Sequence, residues 1–456
     1  MTKNEREDAG EGEEVPRPDL TDEPLLPGDV VARDPDIVEP DVVVDDPIVN
    51  EVTPSQLLLL GSQPKSRFFH TPDGEIFDYR EATAMGIYRL WLSEQYDKVN
   101  DLFAYFQSRK INAIRPLFNL SSAYWKDRHR HNSHLEGNQW WDQLVPFITQ
   151  ASNYGIYTRL CLFGGVESFT GEEVPFSRPD VISDNENAIT QMREYVDQFV
   201  TMTRDLPVLY EIANEPGQIG FGSNSRTVIE LGEQCKSLAP DRLMNFGAAT
   251  DEDSIFYCRA PADFLDEHLA RHEEWDYQAS VKRLIEHHGV DQTQMPFISG
   301  EWMNLGNVKR PGNSDADGSP STATAFATSA MLRVKRAIPA FHAHCLLWGD
   351  VPDTATDLAL QAWSRGLDLI PINFSGQGCN GHWDCSPFDA SIFPPTEETT
   401  DDWYGPVRIF GLDGPQGYLA VSIREPIGYE LYGDHRPIET LHLEKWGDWQ
   451  SRIVRA

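Results

Sequence analysis

The sequence predicts an α/β fold, a TIM-type (β/α)8 barrel with a disordered acidic N-terminal tail and a small C-terminal β extension. From about residue 55 onward, short apolar runs alternate with longer amphipathic stretches. Such repeated alternation is typical of a parallel sheet, and eight units within roughly 300 residues fit a barrel. An open doubly wound sheet is the alternative. It would need a glycine-rich turn after the first strand, which this sequence lacks.

Each predicted element follows from its pattern of apolar residues. The eight strands are predicted at 76–83 (the weakest), 111–120, 155–163, 208–213, 243–247, 262–265, 297–300 and 340–348. The helices, whose apolar residues recur every three or four positions, are predicted at 96–109, 140–154, 187–204, 227–238, 277–288, 323–336 and 354–367. After them, residues 407–412 and 418–423 flank DGPQG and predict a β-hairpin.

These patterns divide the chain into a tail or linker at 1–55, a barrel at 56–372 and a loop-rich extension with a small antiparallel sheet at 373–456. The first 50 residues hold 16 acidic and 4 basic side chains, seven prolines and no aromatic residue. Such a segment cannot bury enough apolar surface to fold alone. It is expected to be a solvated tail, and the alternative is a segment that docks on a partner or an assembly.

The charge of the chain excludes some classes of partner. With 38 basic and 72 acidic residues, the net charge is −34, which argues against binding nucleic acid and against docking on an anionic membrane. The N-terminus has no apolar signal-peptide core, and no run approaches a membrane span. The expected location is cytoplasmic, or virion-associated or non-classically exported. The six cysteines are expected to be reduced thiols, with a Cys379–Cys385 disulfide as the alternative.

Two carboxylates follow apolar strands, at the end where barrel enzymes place their chemistry. They are Glu215, after 208–213, and Glu301, after 297–300. A carboxylate at a strand end pays a desolvation penalty that its neighbours must offset. Two carboxylates facing one cleft suit glycosidic cleavage, in which one protonates the leaving oxygen and the other attacks the anomeric carbon. The alternative is that each is a surface ion-pair member.

The segments around these carboxylates resemble a known family. Residues 210–216 (YEIANEP) resemble the fourth-strand motif of the clan A retaining glycoside hydrolases, the cellulase- and mannanase-like (family 5-like) barrels. Residues 296–302 (PFISGEW) resemble the seventh-strand nucleophile motif. The resemblance implies that Glu215 is the general acid/base, that Glu301 is the nucleophile and that Asn214 binds the sugar 2-hydroxyl.

Three further positions carry the same resemblance. Residues 111–116 (INAIRP) resemble the second-strand motif, in which the arginine, here Arg115, braces the nucleophile. Residues 346–350 (LLWGD) resemble the eighth-strand end, which implies that Trp348 stacks on a sugar ring. The sixth strand offers His268, although Ala270 stands where these enzymes often have tyrosine. Arg115 could instead belong to a structural ion pair, and Trp348 could be a core residue.

Aromatic and histidine residues elsewhere give weaker signals. Trp302 and Trp125 are further candidates for sugar contact, and Trp125 lies with Tyr124, Trp140 and Trp141 around a histidine-rich loop, 129–134 (HRHNSH). That loop is expected to be solvated or substrate-facing rather than a metal site, and the aromatics are candidates for outer sugar subsites. His342 and His344 are expected to be buried and hydrogen-bonded, as is the interior carboxylate Glu211. No cofactor or metal is expected.

Together these observations predict a retaining β-glycosidase that acts on β-linked glycans by double displacement. Its negative charge favours neutral β-glucan or β-mannan over polyanionic glycans. One alternative is a virion- or surface-associated protein that binds or depolymerises glycans, motivated by the acidic tail. Another is a metal-dependent hydrolase on the same barrel, with His342 and His344 as ligands.

Overall fold

The structure is a computed structural model, and it describes most of the chain between residues 57 and 372. The described residues are 57, 59–63, 66–120, 132–172, 174, 180–248, 253, 256–257, 260–268, 295–300, 325, 329, 332–333, 337–343, 346, 349–350, 352–369 and 372, together with the backbone of 407–411, 418–422, 432–433, 436–437, 439–446 and 449–455. The predicted tail at 1–55 lies outside these residues, and the domain boundaries stay predictions.

Eight strands run parallel to their neighbours in two sheets that follow chain order. The five-stranded sheet contains β3 (Glu81–Thr83), β4 (Ala113–Arg115), β5 (Tyr157–Phe163), β6 (Val208–Ala213) and β7 (Met244–Asn245). The three-stranded sheet contains β8 (Leu265–Glu267), β9 (Phe297–Ser299) and β10 (Ile338–Pro339). Helices alternate with these strands, so the predicted α/β class with a parallel sheet is confirmed.

Backbone hydrogen bonds also join the two sheets at both of their edges. Between β7 and β8, the N–H of Asp263 donates to the carbonyl of Met244 at 2.8 Å. At the other edge, the N–H of Phe341 donates to the backbone carbonyl of Glu81 at 2.7 Å, and the carbonyl of Phe341 accepts from the N–H of Thr83 at 2.9 Å. These hydrogen bonds link neighbouring strands of the two sheets, and within each sheet the carboxyl ends of the parallel strands share one side.

The last predicted strand, 340–348, is wrong in its extent. Strand β10 begins two residues earlier, a bridge at Phe341 is its only extension among the described residues, and Leu346 is helical. Proline cannot donate to a ladder, yet Pro339 belongs to this strand. In the structure the N–H of Ala340 faces β9 and bonds to Ser299. The nitrogen of Pro339 therefore faces the other side, where the ladder to β3 begins only at Phe341.

The described helices agree with most of the amphipathic patterns. They are α1 (Ile87–Leu92), α2 (Tyr96–Ser108), α3 (Asn138–Asp142), α4 (Leu144–Asn153), α5 (Glu167–Thr170), α6 (Glu186–Thr203), α7 (Arg226–Leu238) and α8 (Thr354–Leu369). The described residues within predicted helix 323–336 are helical, and predicted helix 277–288 lies outside the described residues. Predicted helix 140–154 is split into α3 and α4 because Pro146 would clash with the carbonyl of residue 142 in a continuous helix.

An apolar cluster lies at the amino ends of the strands. It contains Leu60, Phe68, Phe69, Tyr79, Ala113, Tyr157, Leu209, Leu243, Phe264, Ile298, Ile338 and Ala340. The antiparallel pair β1 (Gly61–Ser62) and β2 (Phe69–His70) contributes Phe69, whose ring centroid lies 4.9 Å from that of Tyr79 and 5.3 Å from that of Phe264. This end is filled by side chains, which leaves the carboxyl ends for polar groups.

The C-terminal part contains a four-stranded antiparallel sheet in the order β11–β12–β16–β15. These strands are β11 (Val407–Gly411), β12 (Tyr418–Ser422), β15 (Glu439–Trp446) and β16 (Trp449–Arg455), with a separate pair formed by β13 (Tyr432–Gly433) and β14 (Arg436–Pro437). The pairing of β11 with β12 confirms the predicted hairpin. In the described part of the chain, no helix has the length and apolarity needed to cross a membrane.

Candidate active site

The carboxyl end of β6 carries the first predicted catalytic residue. The N–H of Asn214 donates to the carbonyl of Phe163 at 2.9 Å, and the next residue, Glu215, adopts a φ of 47°. A non-glycine residue in this left-handed region is strained, and such strain is concentrated at functional sites. Glu215 is buried, with 6% of its surface exposed.

Close packing of backbones surrounds this strand end. Gly247, two residues beyond β7, has a φ of 76°, and a Cβ there would overlap the carbonyl oxygen of Ala213. The same Cβ would lie 3.2 Å from Oε1 of Glu211. Glycine is therefore required here on both counts, and it lets the chain after β7 lie directly against the strand that carries Asn214 and Glu215.

His268 contacts Glu215 directly. Its Nδ1 lies 2.8 Å from Oε1 of Glu215, and only 3% of the histidine is exposed. His268 follows β8, and its N–H donates to the carbonyl of Ala248 at 3.1 Å. The structure thus brings together two of the predicted site residues, which lie 53 positions apart in the chain.

Arg115 connects the second predicted pair of residues. From β4 it donates two hydrogen bonds to Glu211, at 2.7 and 2.6 Å, and one to Oδ1 of Asn214 at 2.8 Å. A guanidinium only donates, so the amide oxygen of Asn214 must face it and the Nδ2 group must face away. The predicted brace to Glu301 stays a prediction, because Glu301 lies outside the described residues. The predicted interior position of Glu211 is confirmed, since it is fully buried and hydrogen-bonded.

Arg159 is the centre of a buried ionic network that the sequence prediction missed. From β5 it donates to Glu81 at 2.8 and 2.6 Å, to Glu211 at 2.9 Å and, by a very short contact, to Asp266. The hydroxyl of Tyr79 adds a hydrogen bond to Glu81 at 2.6 Å. The signal available in the sequence was a charged residue within a largely apolar strand, two positions before Cys161 and therefore on the same face of the strand.

The network holds two of its members, Arg159 and Asp266, in their charged forms. Burial opposes the charge of Arg159, but Asp266, Glu81 and Glu211 outweigh it and hold the pKa of the guanidinium well above its ordinary value. Burial alone would raise the pKa of Asp266, but Arg159 and, after it, His268 lower that pKa below the ordinary value of an aspartate. The site therefore rests on fixed buried charges.

Among the described residues, one group has the composition of a metal site. Single donor atoms of Glu211, Asp266 and His268 lie within 4.8 Å of one another. However, Arg115 and Arg159 already donate to these carboxylates, and two guanidinium charges oppose the binding of a further cation. We therefore interpret the group as part of the ionic network.

The described histidines outside this network have structural partners. Nδ1 of His342 lies 3.2 Å from the hydroxyl of Thr83, and the ring is buried. This confirms the predicted buried, hydrogen-bonded position of His342, whereas His344 lies outside the described residues. In the histidine-rich loop, Nδ1 of His134 lies 2.7 Å from Oδ1 of Asn119, and its ring stacks on Phe169 with centroids 4.8 Å apart.

One aromatic expectation is wrong. Trp140, a candidate for an outer sugar subsite, is 1% exposed and packs in the main core, where its ring lies 5.5 Å from that of Tyr88 and 5.8 Å from that of Phe118. Packing a large apolar ring against other aromatic rings removes the apolar surface of each ring from water, which favours the buried position. Trp141, next to it, is partly buried.

Four predicted site residues lie outside the described part of the chain: Glu301, Trp302, Trp125 and Trp348. The last described residue before Glu301 is Gly300, whose N–H donates to the carbonyl of Glu267 at 3.1 Å. Gly300 thus follows β9 at the same end of the sheet as His268. A Cβ at this position would overlap the carboxylate of Asp266, so glycine leaves room for the buried acid.

Comparisons with solved structures address the fold. No protein-family model and no curated protein matches the sequence. A solved structure described as a glycoside hydrolase superposes with a TM-score of 0.53 at 13% identity, covering 82% of this chain and 85% of its own. The endo-1,4-β-mannanase of Rhizomucor miehei gives 0.52 at 16%, covering 68% and 99%. A family 5 glycoside hydrolase of Bacteroides vulgatus gives 0.52 at 12%, covering 81% of each chain.

The chain has the fold of the family 5 glycoside hydrolases. The resemblance predicted from residues 210–216 and 296–302 is thereby confirmed at the level of the fold. Identities this low carry the architecture and leave the reaction to be argued from the residues of this chain.

Proposed function

We propose that the protein is a retaining β-glycosidase with Glu215 as the general acid/base and Glu301 as the nucleophile. The observation that carries the proposal is the contact between Glu215 and His268 at the carboxyl end of a parallel strand, beside the Arg115–Asn214 hydrogen bond. A buried carboxyl group with a histidine partner suits a residue that must hold and release a proton. The structural neighbours, which are glycoside hydrolases, support the same class of reaction.

We also infer that the two parallel sheets close into one eight-stranded barrel. The backbone hydrogen bonds at both sheet edges support this inference, as does the contact between Arg159 of one sheet and Asp266 of the other. In such a barrel the carboxyl ends of all eight strands surround one cleft. Glu301, which follows Gly300, would then approach Glu215 across that cleft.

The reaction proceeds in two steps in this proposal. First, the carboxylate of Glu301 attacks the anomeric carbon while Glu215 gives its proton to the glycosidic oxygen, which leaves with the aglycone. A glycosyl-enzyme ester at Glu301 results. In the second step Glu215, now ionised, takes a proton from water, and the hydroxide formed displaces Glu301 from the sugar. Both carboxyl groups return to their starting protonation states.

Asn214 is proposed to contact the sugar next to the broken bond. Its oxygen is held by Arg115, so its Nδ2 group is the part that can donate to a substrate hydroxyl. In the family that this chain resembles, the equivalent asparagine binds the 2-hydroxyl. Hydrogen bonds to this hydroxyl strengthen in the transition state, and the fixed position of Asn214 suits that role.

The proposed substrate is a neutral β-linked glycan, of the β-mannan or β-glucan class. One structural neighbour is itself an endo-1,4-β-mannanase. The net charge of −34 disfavours polyanionic chains. Trp348, Trp302 and Trp125 are proposed to stack on sugar rings. Docking of the tail on a partner stays a prediction.

The test combines substrate screening with stereochemistry. The full chain is assayed on β-mannan, β-glucan and aryl β-glycosides, and the first-formed anomer is identified by proton NMR. We expect the β anomer, and trapping with a 2-deoxy-2-fluoro glycoside should label Glu301 in a peptide mass spectrum. An α anomer, or a label at another residue, contradicts the proposal. Glu194→Gln, at an exposed position on α6, serves as the control variant.

A further inference from the structure

Asp266 lies between the buried ionic network and the proposed acid/base. One of its oxygens, Oδ2, accepts from Arg159 and also lies 3.7 Å from Nε2 of His268. The other ring nitrogen of His268, Nδ1, is the one that contacts Glu215 at 2.8 Å. Asp266 and His268 are both almost fully buried. The histidine ring is therefore placed between two carboxyl groups, with a different nitrogen facing each.

This placement distinguishes the two ring nitrogens. The separation of 3.7 Å is too long for a hydrogen bond, but in a buried site the charge of Asp266 at this distance still acts strongly on the ring. Arg159 keeps Asp266 ionised, as argued above. A negative charge beside Nε2 favours a proton on that nitrogen. Nδ1, which faces Glu215, is then the ring nitrogen that can share a second proton with the carboxyl group.

We propose that Asp266 is a positioning residue that retains a proton between Glu215 and His268. Its carboxylate keeps Nε2 of His268 protonated. Nδ1 can then share the proton of Glu215, which is the proton that Glu215 gives to the leaving group. This inference rests on the proposed function and extends it to a residue that does not touch the reacting atoms.

The position of Asp266 is itself held from several sides. Arg159 bonds to Asp266, Glu81 and Glu211, so the charge beside His268 is tied to three strands. Gly300, which follows the neighbouring strand β9, lies so close that a Cβ would overlap the carboxylate. Gly300 immediately precedes Glu301 in the chain, and His268 lies between Asp266 and Glu215.

The other charged groups near Asp266, His268 and Glu215 are also defined among the described residues. Facing Asp266 and His268 are Arg159 from β5, Glu211 and Glu215 from β6 and its end, and, through Glu211, Arg115 from β4. The neighbouring Glu267 alternates to the opposite face of β8. Removing the charge of Asp266 takes one negative charge from beside the Glu215–His268 pair, so the pair should lose its proton at lower pH.

The experiment compares Asp266→Asn with the wild type by two readouts. The first is the alkaline limb of the pH profile of kcat/KM, which reports loss of the proton needed by the acid. The second is the NMR titration of the His268 ring, assigned by its absence in His268→Gln, which needs no activity. We expect both midpoints to fall by about one pH unit, while the acid limb of the profile stays in place.

Glu81→Gln is the matched control, because it removes an equal charge from the same arginine without a contact to His268. Its midpoints should move by less than half as much. In the His268→Gln background, Asp266→Asn should no longer shift the alkaline limb. If Asp266→Asn does not fold, Gly300→Ala displaces the carboxylate instead, and the His268 titration should move in the same direction.

The outcomes separate the two proposals. If the chain has no glycosidase activity but the His268 midpoint falls as expected, the effect of Asp266 on His268 is supported and the proposed function fails. If activity is found and the midpoints of Asp266→Asn equal those of the wild type, the role of Asp266 is overturned. Equal shifts in Asp266→Asn and Glu81→Gln also overturn it, because they indicate a general effect of buried charge.

Discussion

Nδ1 of His268 lies 2.8 Å from Oε1 of Glu215, and both side chains are buried at the carboxyl ends of parallel strands. The backbone of Glu215 is in a left-handed conformation, and the preceding residue, Asn214, is hydrogen-bonded to Arg115. This constraint on position is the property that general acid catalysis requires, because proton transfer depends on heavy-atom distances near 3 Å.

Glu215→Ala should lower kcat/KM on a polysaccharide by about 10²–10⁴-fold, the usual contribution of general acid–base catalysis. The loss should be much smaller on a dinitrophenyl glycoside, whose leaving group needs no proton. Added azide should then restore turnover and yield a β-glycosyl azide, identified by NMR. Glu194→Ala, exposed on α6, should behave like the wild type. An equal loss on both substrates would contradict the acid role.

Arg159→Met should destabilise the protein by about 3–5 kcal/mol, because it leaves Glu81, Glu211 and Asp266 buried without their shared cation. The free energy of unfolding is measured by urea denaturation. Arg193→Met is the control, since its ion pair with Glu230 is solvent-exposed and should contribute less than about 1 kcal/mol. Similar losses in the two variants would show that the buried network adds no special stability.

Gly247→Ala should destabilise the protein by more than Gly155→Ala. Both glycines have a left-handed φ, 76° and 72°, but a Cβ at Gly155 meets open space whereas one at Gly247 overlaps the carbonyl of Ala213. The strain common to both is about 1–2 kcal/mol, and the overlap adds to it only at Gly247. Urea unfolding of the two variants measures the difference, and equal losses would refute the close approach at β6.

The stability should fall as the pH is lowered from about 6.5 to about 4, in part because of His134. Burial lowers the pKa of this histidine to about 4, so within this window the unfolded chain binds a proton that the folded chain does not. The contribution is present above the unfolded pKa and is lost as the pH falls. We expect His134→Gln to lose on the order of 1–2 kcal/mol less stability than the wild type across this window. Parallel curves would contradict the assignment.

Several elements could be predicted because their signals are local. Helix α6 and strand β6 carry uninterrupted patterns, and the agreement there is within a residue or two. The placement of Glu215 after a buried strand also followed from its neighbours in the chain. The division of α3 from α4 and the end of β10 were missed, because they depend on a clash at Pro146 and on which side of a strand each N–H faces.

The amino-acid sequence by itself determined the alternation of strands and helices and the position of Glu215 at a strand end, since these depend on residues close together in the chain. It also indicated the family resemblance through short motifs. Only the tertiary structure decided that Arg159 joins Glu81, Glu211 and Asp266, that Arg115 orients Asn214 and that Trp140 belongs to the core. The reason is physical: each of these contacts joins residues from different strands, helices or loops, and only folding brings them together.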